Sequence, residues 1–232
     1  MSQTAAPTEL PAAVLFDQDG TLVDTEPVWM DSEVEMVTRA GGTWTHEMAA
    51  DAVGRPIEFT GRALSERGGV PGTVEQIVDE LVGMVVDHLR TQGVPWMAGA
   101  LDTLAMCRDL GVPCALVTSS YRRLAQVVVD ASDGELRFAV TGDEVANAKP
   151  DPEPYLTAAA KLGVDIRDCI AVEDSPSGLG SALASGAHVI GIPCVKPIEA
   201  RPGLSRLGSL AELNEDVLRR VASGEVVDTL VD

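Results

Sequence analysis

A doubly wound parallel α/β sheet, with a small helical domain inserted after its first strand, is the fold this sequence predicts. Three observations carry the expectation. Short continuous apolar runs recur at Ala12–Phe16, Cys114–Val117, Phe138–Val140, Cys169–Val172 and Val189–Ile192, as strands buried on both faces would be. Helical stripes alternate with the runs from residue 100 onward, and strands alternating with helices make a parallel sheet. The interval from Thr25 to Gly93 breaks that alternation, because it holds no convincing strand.

The elements follow in order. Leu101, Leu104 and Leu110 form one stripe before the second strand. Tyr155, Leu156, Ala159 and Leu162 form another, opened by Pro152 and Pro154 and closed by Gly163. Ser175-Pro176 starts a third helix, which Gly186 ends. Inside the insertion, Val74, Ile77, Val78, Leu81, Val82, Val85, Val86 and Leu89 keep helical spacing almost without fault. Pro27–Ala40, His46–Val53 and Glu58–Arg67 also read as helices, separated by Gly41-Gly42, Gly68-Gly69 and Pro71-Gly72. The expected division is therefore a core of 1–24 and 94–232 and a helical domain of 25–93, with Ser209–Asp232 forming one or two short helices and a tail.

Composition limits the function. The 232 residues are 45% hydrophobic and 23% charged, an ordinary globular balance. Net charge is −19, and the only lysines are Lys149, Lys161 and Lys196. No basic stripe offers itself to nucleic acid, and an acidic field repels anionic lipid. No stretch approaches the ~20 apolar residues of a membrane span, and residues 1–10 lack the character of a leader. Cys107, Cys114, Cys169 and Cys194 show no paired spacing, so a reducing cytoplasm is the expected setting. His46, His88 and His188 have no metal spacing and are given no role.

Chemistry gathers at the strand ends, where open parallel sheets bind ligands. Asp17-Gln18-Asp19-Gly20-Thr21 follows the first strand, and its two carboxylates can divide nucleophile and metal ligand from general acid/base. Thr118-Ser119-Ser120 ends the second strand with a hydroxyl, able to cap a helix and to meet phosphate at that helix start. Lys149-Pro150-Asp151-Pro152 can fix a cation ahead of a helix, and Glu173-Asp174-Ser175 ends the fourth strand with adjacent carboxylates. Taken singly, each of these is also a common surface turn, cap or solvated charge. Together, carboxylates from two strands suit a hard cation such as Mg²⁺, and a lysine with a hydroxyl suits the oxygens of a phosphoryl group.

Phe16–Glu26, Thr118–Ser120, Lys149–Tyr155 and Val172–Gly178, in this order and spacing, resemble the haloacid dehalogenase superfamily, and more narrowly its β-phosphoglucomutase-like phosphatases, across about residues 12–212. The resemblance implies a Rossmann-like core with strand order 3-2-1-4-5 and the insertion as a cap. It implies that Asp17 attacks phosphorus and forms an aspartyl-phosphate. Asp19 then serves as acid toward the leaving oxygen and as base toward water. Asp17, the Asp19 carbonyl, Asp174 and Glu173, the last directly or through water, would hold Mg²⁺. Gly20 is expected to bind substrate from its turn, Thr118 and the Ser119 N–H would bind phosphate oxygens, and Lys149 would neutralise Asp17 and the phosphoryl group. Val53–Pro56 resembles the cap segment that reaches the core, so Arg55 is expected at the leaving group or a second anion.

Within that family, Asp19 argues against a true dehalogenase, and a cap without lysine argues against a Schiff-base hydrolase. The histidine of the mutases falls on Trp29, which with Trp44 is expected to pack the cap rather than line a pocket. Asp24 and Glu26 are read as shaping the hinge. The expectation is a cytoplasmic Mg²⁺-dependent phosphatase acting on a small phosphorylated metabolite, a monomer or weak homodimer. A phosphosugar mutase and a non-catalytic phospho-ligand binder are the alternatives.

Overall fold

The structure is a computed structural model, and it describes residues 9–51 and 57–230. The chain divides into two compact units, Thr25–Pro95 and the remainder.

The larger unit is built on one parallel sheet of six strands in the order β3-β2-β1-β4-β5-β6. The strands are β1 (Ala13–Phe16), β2 (Cys114–Val117), β3 (Leu136–Val140), β4 (Cys169–Glu173), β5 (His188–Gly191) and β6 (Leu204–Arg206). β1 is central, pairing with β2 through Val14–Cys114 and with β4 through Val14–Ile170. All four of its residues are fully buried. Alternate side chains of a strand face opposite sides, so a strand buried on both must be apolar throughout, which is why the run stood out in the sequence. Ala13 and Leu15 share one core with Tyr155, Ala158 and Ala159 of α7 (Glu153–Leu162) and Leu179 and Ala182 of α8 (Pro176–Ser185).

The sixth strand extends the expected order of five by one edge. β6 is three residues long and ends in Arg206, so it carries no apolar run to betray it. Arg206 is nonetheless buried, because its guanidinium donates to Asp228 Oδ2 at 2.9 Å and to the Ile198 carbonyl at 2.9 Å. Those partners lie 22 and 8 residues away. Two expected stripes shift as well. In α5 (Ala100–Asp109) the buried face is Ala100, Thr103, Leu104 and Cys107, with Leu101 exposed. In α7 the buried face is Pro154, Tyr155, Ala158 and Ala159, with Leu156 exposed. Ala100, Thr103, Ala158 and Ala159 occupy much of these faces, and a pattern read from the larger apolar side chains alone misplaces them. α6 (Arg122–Ala131) and α9 (Glu215–Ala222) are the remaining α-helices among this unit's described residues.

Among its described residues the smaller unit has four helices joined by turns, α1 (Glu26–Arg39), α2 (His46–Ala50), α3 (Ile57–Glu66) and α4 (Val74–Gln92), and no strand. α4 starts at a reciprocal cap, in which Thr73 Oγ1 accepts from Gln76 N and Gln76 Oε1 accepts from Thr73 N at 2.9 Å. Its stripe packs with Met36, Val37, Leu64 and Trp44, and Trp29 joins that cluster half-buried. Trp44 Nε1 donates to the buried Glu33 carboxylate at 2.9 Å. Arg55 lies outside the described residues. Among those residues no helix is long and apolar enough to cross a membrane.

Candidate active site

The site starts where β1 stops. Asp17 N donates to Val172 O at 2.9 Å, so the strand pairing runs on for one residue and fixes the Asp17 backbone beside β4. The chain then turns tightly, with Leu22 N and Val23 N both donating to Gln18 O. Gly20 sits in this turn at φ +84°, and a Cβ there would overlap the Asp174 carboxylate, so the position requires glycine on two counts.

Lys149 is the hub. Its ammonium donates to Asp17 Oδ1 at 2.6 Å, Glu173 Oε1 at 2.6 Å and the Val117 carbonyl at 2.8 Å. An ammonium has three donors, and all three are used on three different strand ends. Its side chain is 3% exposed. Burial works against its charged form, but the carboxylates of Asp17 and Glu173 outweigh it and hold its pKa above the ordinary value. Burial and then the Glu173 charge push Asp17 well upward, against the pull of Lys149. The same two causes take Asp174 to about 7. Three carboxylates thus face one ammonium, and the surplus negative charge is costly without a further cation.

The donor set fits a divalent metal. Asp17, Glu173 and Asp174 each offer a carboxylate oxygen, all within 4.8 Å of one another. Asp174 Oδ1 is buried and has no hydrogen-bond partner. Oxygen ligands of this kind select a hard ion.

Asp19 is held apart from that cluster. Ser120 Oγ donates to its Oδ2 at 2.8 Å, and Gln18 Nε2 donates to the same oxygen at 3.1 Å. Thr118, buried at the end of β2, accepts from Ser120 N at 2.9 Å. It does not cap the next helix: α6 begins at Arg122, with Tyr121 at the cap position and no side-chain cap bond. Ser119 is exposed, and its backbone lies so close to Gly142 that a Cβ there would overlap the Ser119 carbonyl oxygen. Ser175 does cap α8, accepting from Gly178 N at 3.0 Å.

Asp17, Lys149, Glu173 and Asp174 therefore meet directly, with Gly20 against Asp174. Thr118 and Asp19 join through Ser120. Four contributors escaped the sequence reading: Gln18, Ser120, Ser175 as a Glu173 partner, and Tyr155, whose hydroxyl donates to Glu173 Oε1 at 2.8 Å. Tyr155 left one signal, a hydroxyl in an otherwise apolar helix stripe.

The family profile of the haloacid dehalogenase-like hydrolases matches residues 14–192. Hexitol phosphatase A of Escherichia coli (strain K12) is 33% identical over 185 residues, 77% of this chain and 81% of its own length. The phosphorylated carbohydrates phosphatase of Thermotoga maritima is 30% identical over 184 residues, 77% of this chain and 83% of its own. Among solved structures, CbbY from Rhodobacter sphaeroides in complex with phosphate superposes with a TM-score of 0.76 at 25% identity, covering 88% of this chain and 96% of its own. A match across so much of both partners goes well beyond a shared sheet topology: the chain belongs to the haloacid dehalogenase-like hydrolase family, as one of its phosphoric monoester hydrolases.

Proposed function

We propose that this phosphatase hydrolyses a small phosphate ester, of the sugar-phosphate or phosphoglycolate type, through an aspartyl-phosphate on Asp17 and with Mg²⁺. The observation that supports this most is the convergence on Lys149 of Asp17 and Glu173, each at 2.6 Å, with Asp174 beside them. Two similar proteins are named for hexitol phosphate and phosphorylated carbohydrate substrates, which favours a sugar phosphate here.

Asp17 attacks phosphorus in line. Lys149 engages its Oδ1, so attack falls to the other carboxylate oxygen. The P–O bond to the leaving group breaks as the new bond forms, and Asp19 gives its proton to the departing oxygen. Asp19 then takes a proton from the water that attacks the aspartyl-phosphate, which returns Asp17 as a carboxylate and releases inorganic phosphate. Thr118 Oγ1 and the Ser119 N–H bind phosphoryl oxygens, while Lys149 offsets their charge. Asp17, the Asp19 carbonyl, Asp174 and Glu173, the last directly or through water, would hold Mg²⁺, whose charge stabilises the phosphoryl oxygens when bound. Residues 25–93 act as the cap, and Arg55 binds the leaving group or a second anion.

The test is phosphate release from a panel of hexose, hexitol and other small phosphate esters, with Mg²⁺ and with chelator. Metal-dependent release, strongest on sugar phosphates, is expected. Transfer of the phosphoryl group between sugar positions with little phosphate released would instead make it a mutase.

A further inference from the structure

Tyr155 takes no part in the steps above, yet its hydroxyl reaches into their centre. The ring belongs to the sheet core, packed with Leu15, Val117 and Ala171, and the residue is fully buried. From that fixed base the hydroxyl donates to Glu173 Oε1 at 2.8 Å, and the ring centroid lies 5.2 Å from Lys149 Nζ.

The carboxylate it meets is shared among several donors. Glu173 is fully buried. Its Oε2 accepts from Asp174 N at 3.2 Å, Ser175 N at 3.3 Å and Ser175 Oγ at 3.2 Å. Among the described residues its Oε1 accepts from Lys149 and Tyr155. A carboxylate has about four lone-pair sites, so these five donors share them, and an ion at Asp17 and Asp174 would reach Glu173 through water or by displacing one donor. Lys149 is saturated by Asp17, Val117 and Glu173. Each bond is thus a share of a closed network, and removing one donor redistributes the others. Without the hydroxyl, Glu173 Oε1 keeps Lys149 alone and draws it away from Asp17.

We propose that Tyr155 is a positioning residue for phosphoryl transfer: by holding Glu173 Oε1 it sets how the Lys149 ammonium is divided between Glu173 and Asp17. This rests on the roles given to Asp17 and Lys149 above. A ring fixed by the core can place an oxygen more closely than a loop side chain can. The consequence belongs to the transition state, where charge on the phosphoryl group needs Lys149 nearest, and not to ground-state binding.

Tyr155→Phe removes the oxygen and keeps the ring. The parent and variant are compared for turnover of an aryl phosphate at saturating Mg²⁺, for vanadate affinity by calorimetry, and for melting temperature. The expected result is a kcat about tenfold lower and vanadate binding weakened by a similar factor, with KM within about twofold. Unchanged kcat and vanadate affinity would overturn the proposal. So would a lower melting temperature with full kcat per folded molecule, which is the signature of a packing role. If the parent turns over no ester, the reading of Asp17 falls, and the vanadate comparison by itself decides the case of Tyr155.

Discussion

At Asp17, burial and the Glu173 charge raise the carboxyl against the pull of the Lys149 ammonium. Asp17→Asn keeps the side-chain shape but removes the charge proposed to attack phosphorus. Turnover is expected to fall by at least about 10³-fold with the circular dichroism spectrum unchanged. Activity near the parent's would show that another group attacks. Lys149→Met strips the sole ammonium from three buried acceptors, leaving Asp17 and Glu173 uncompensated at once. Breaking a buried pair in this way costs about 3–5 kcal/mol, so both activity and melting temperature are expected to fall. A variant as stable as the parent would mean that the network carries less energy than its geometry implies. Asp17 and Glu173 were legible because each directly follows an apolar run, and Lys149 because a proline turn after it opens a helix. Gln18, Ser120 and Tyr155 were not, because their roles depend on contacts that only the folded register creates. The Tyr155 hydroxyl meets a carboxylate 18 residues away.

Among the elements, α8 and α1 carry the sharpest expectations. Gly178 lies in the first turn of α8, and a Cβ there would overlap the Glu173 carboxylate. Alanine favours a helix over glycine by about 1 kcal/mol at an open site. Here the sign is expected to reverse: Gly178→Ala should lower stability by about 1–3 kcal/mol and cut turnover, as a thermal melt and an assay will show. In α1, Glu33 is buried against Trp44, and burial raises its pKa to about 7 despite the indole hydrogen bond. An acid raised on folding binds its proton more tightly in the native state. Its contribution is full below the unfolded value of 4.5 and is lost as pH rises through about 7. Glu33→Gln keeps an acceptor for the indole and removes the charge. The variant should gain about 1–3 kcal/mol over the parent at pH 8 and little at pH 4.5, read from paired melts across that range. A gain independent of pH would exclude ionisation of Glu33 as its source. The start of α8 was legible in Ser175-Pro176, whose serine caps the helix. β6 was hidden because its burial rests on the Arg206–Asp228 pair, which no local pattern announces.

For the whole molecule, the alternation of apolar runs with helix stripes gave away the parallel sheet, and the α4 stripe marked the helical unit. The division between them falls at Asp24/Thr25 and Pro95/Trp96. Which ester fits is a property that no spacing in the chain encodes. The overall charge of −19 favours cation uptake in general, so a specific metal site must be separated from a diffuse one. Millimolar Mg²⁺ should raise the melting temperature of the parent, and of Asp174→Asn far less, while chelator abolishes turnover. An equal rise in both would locate the binding elsewhere. The proposed covalent step at Asp17 is read most directly by mass spectrometry of the enzyme quenched in acid during turnover. The expected result is one added phosphoryl group on the peptide containing Asp17, absent from Asp17→Asn. Turnover with no adduct, or an adduct on a different residue, would contradict it.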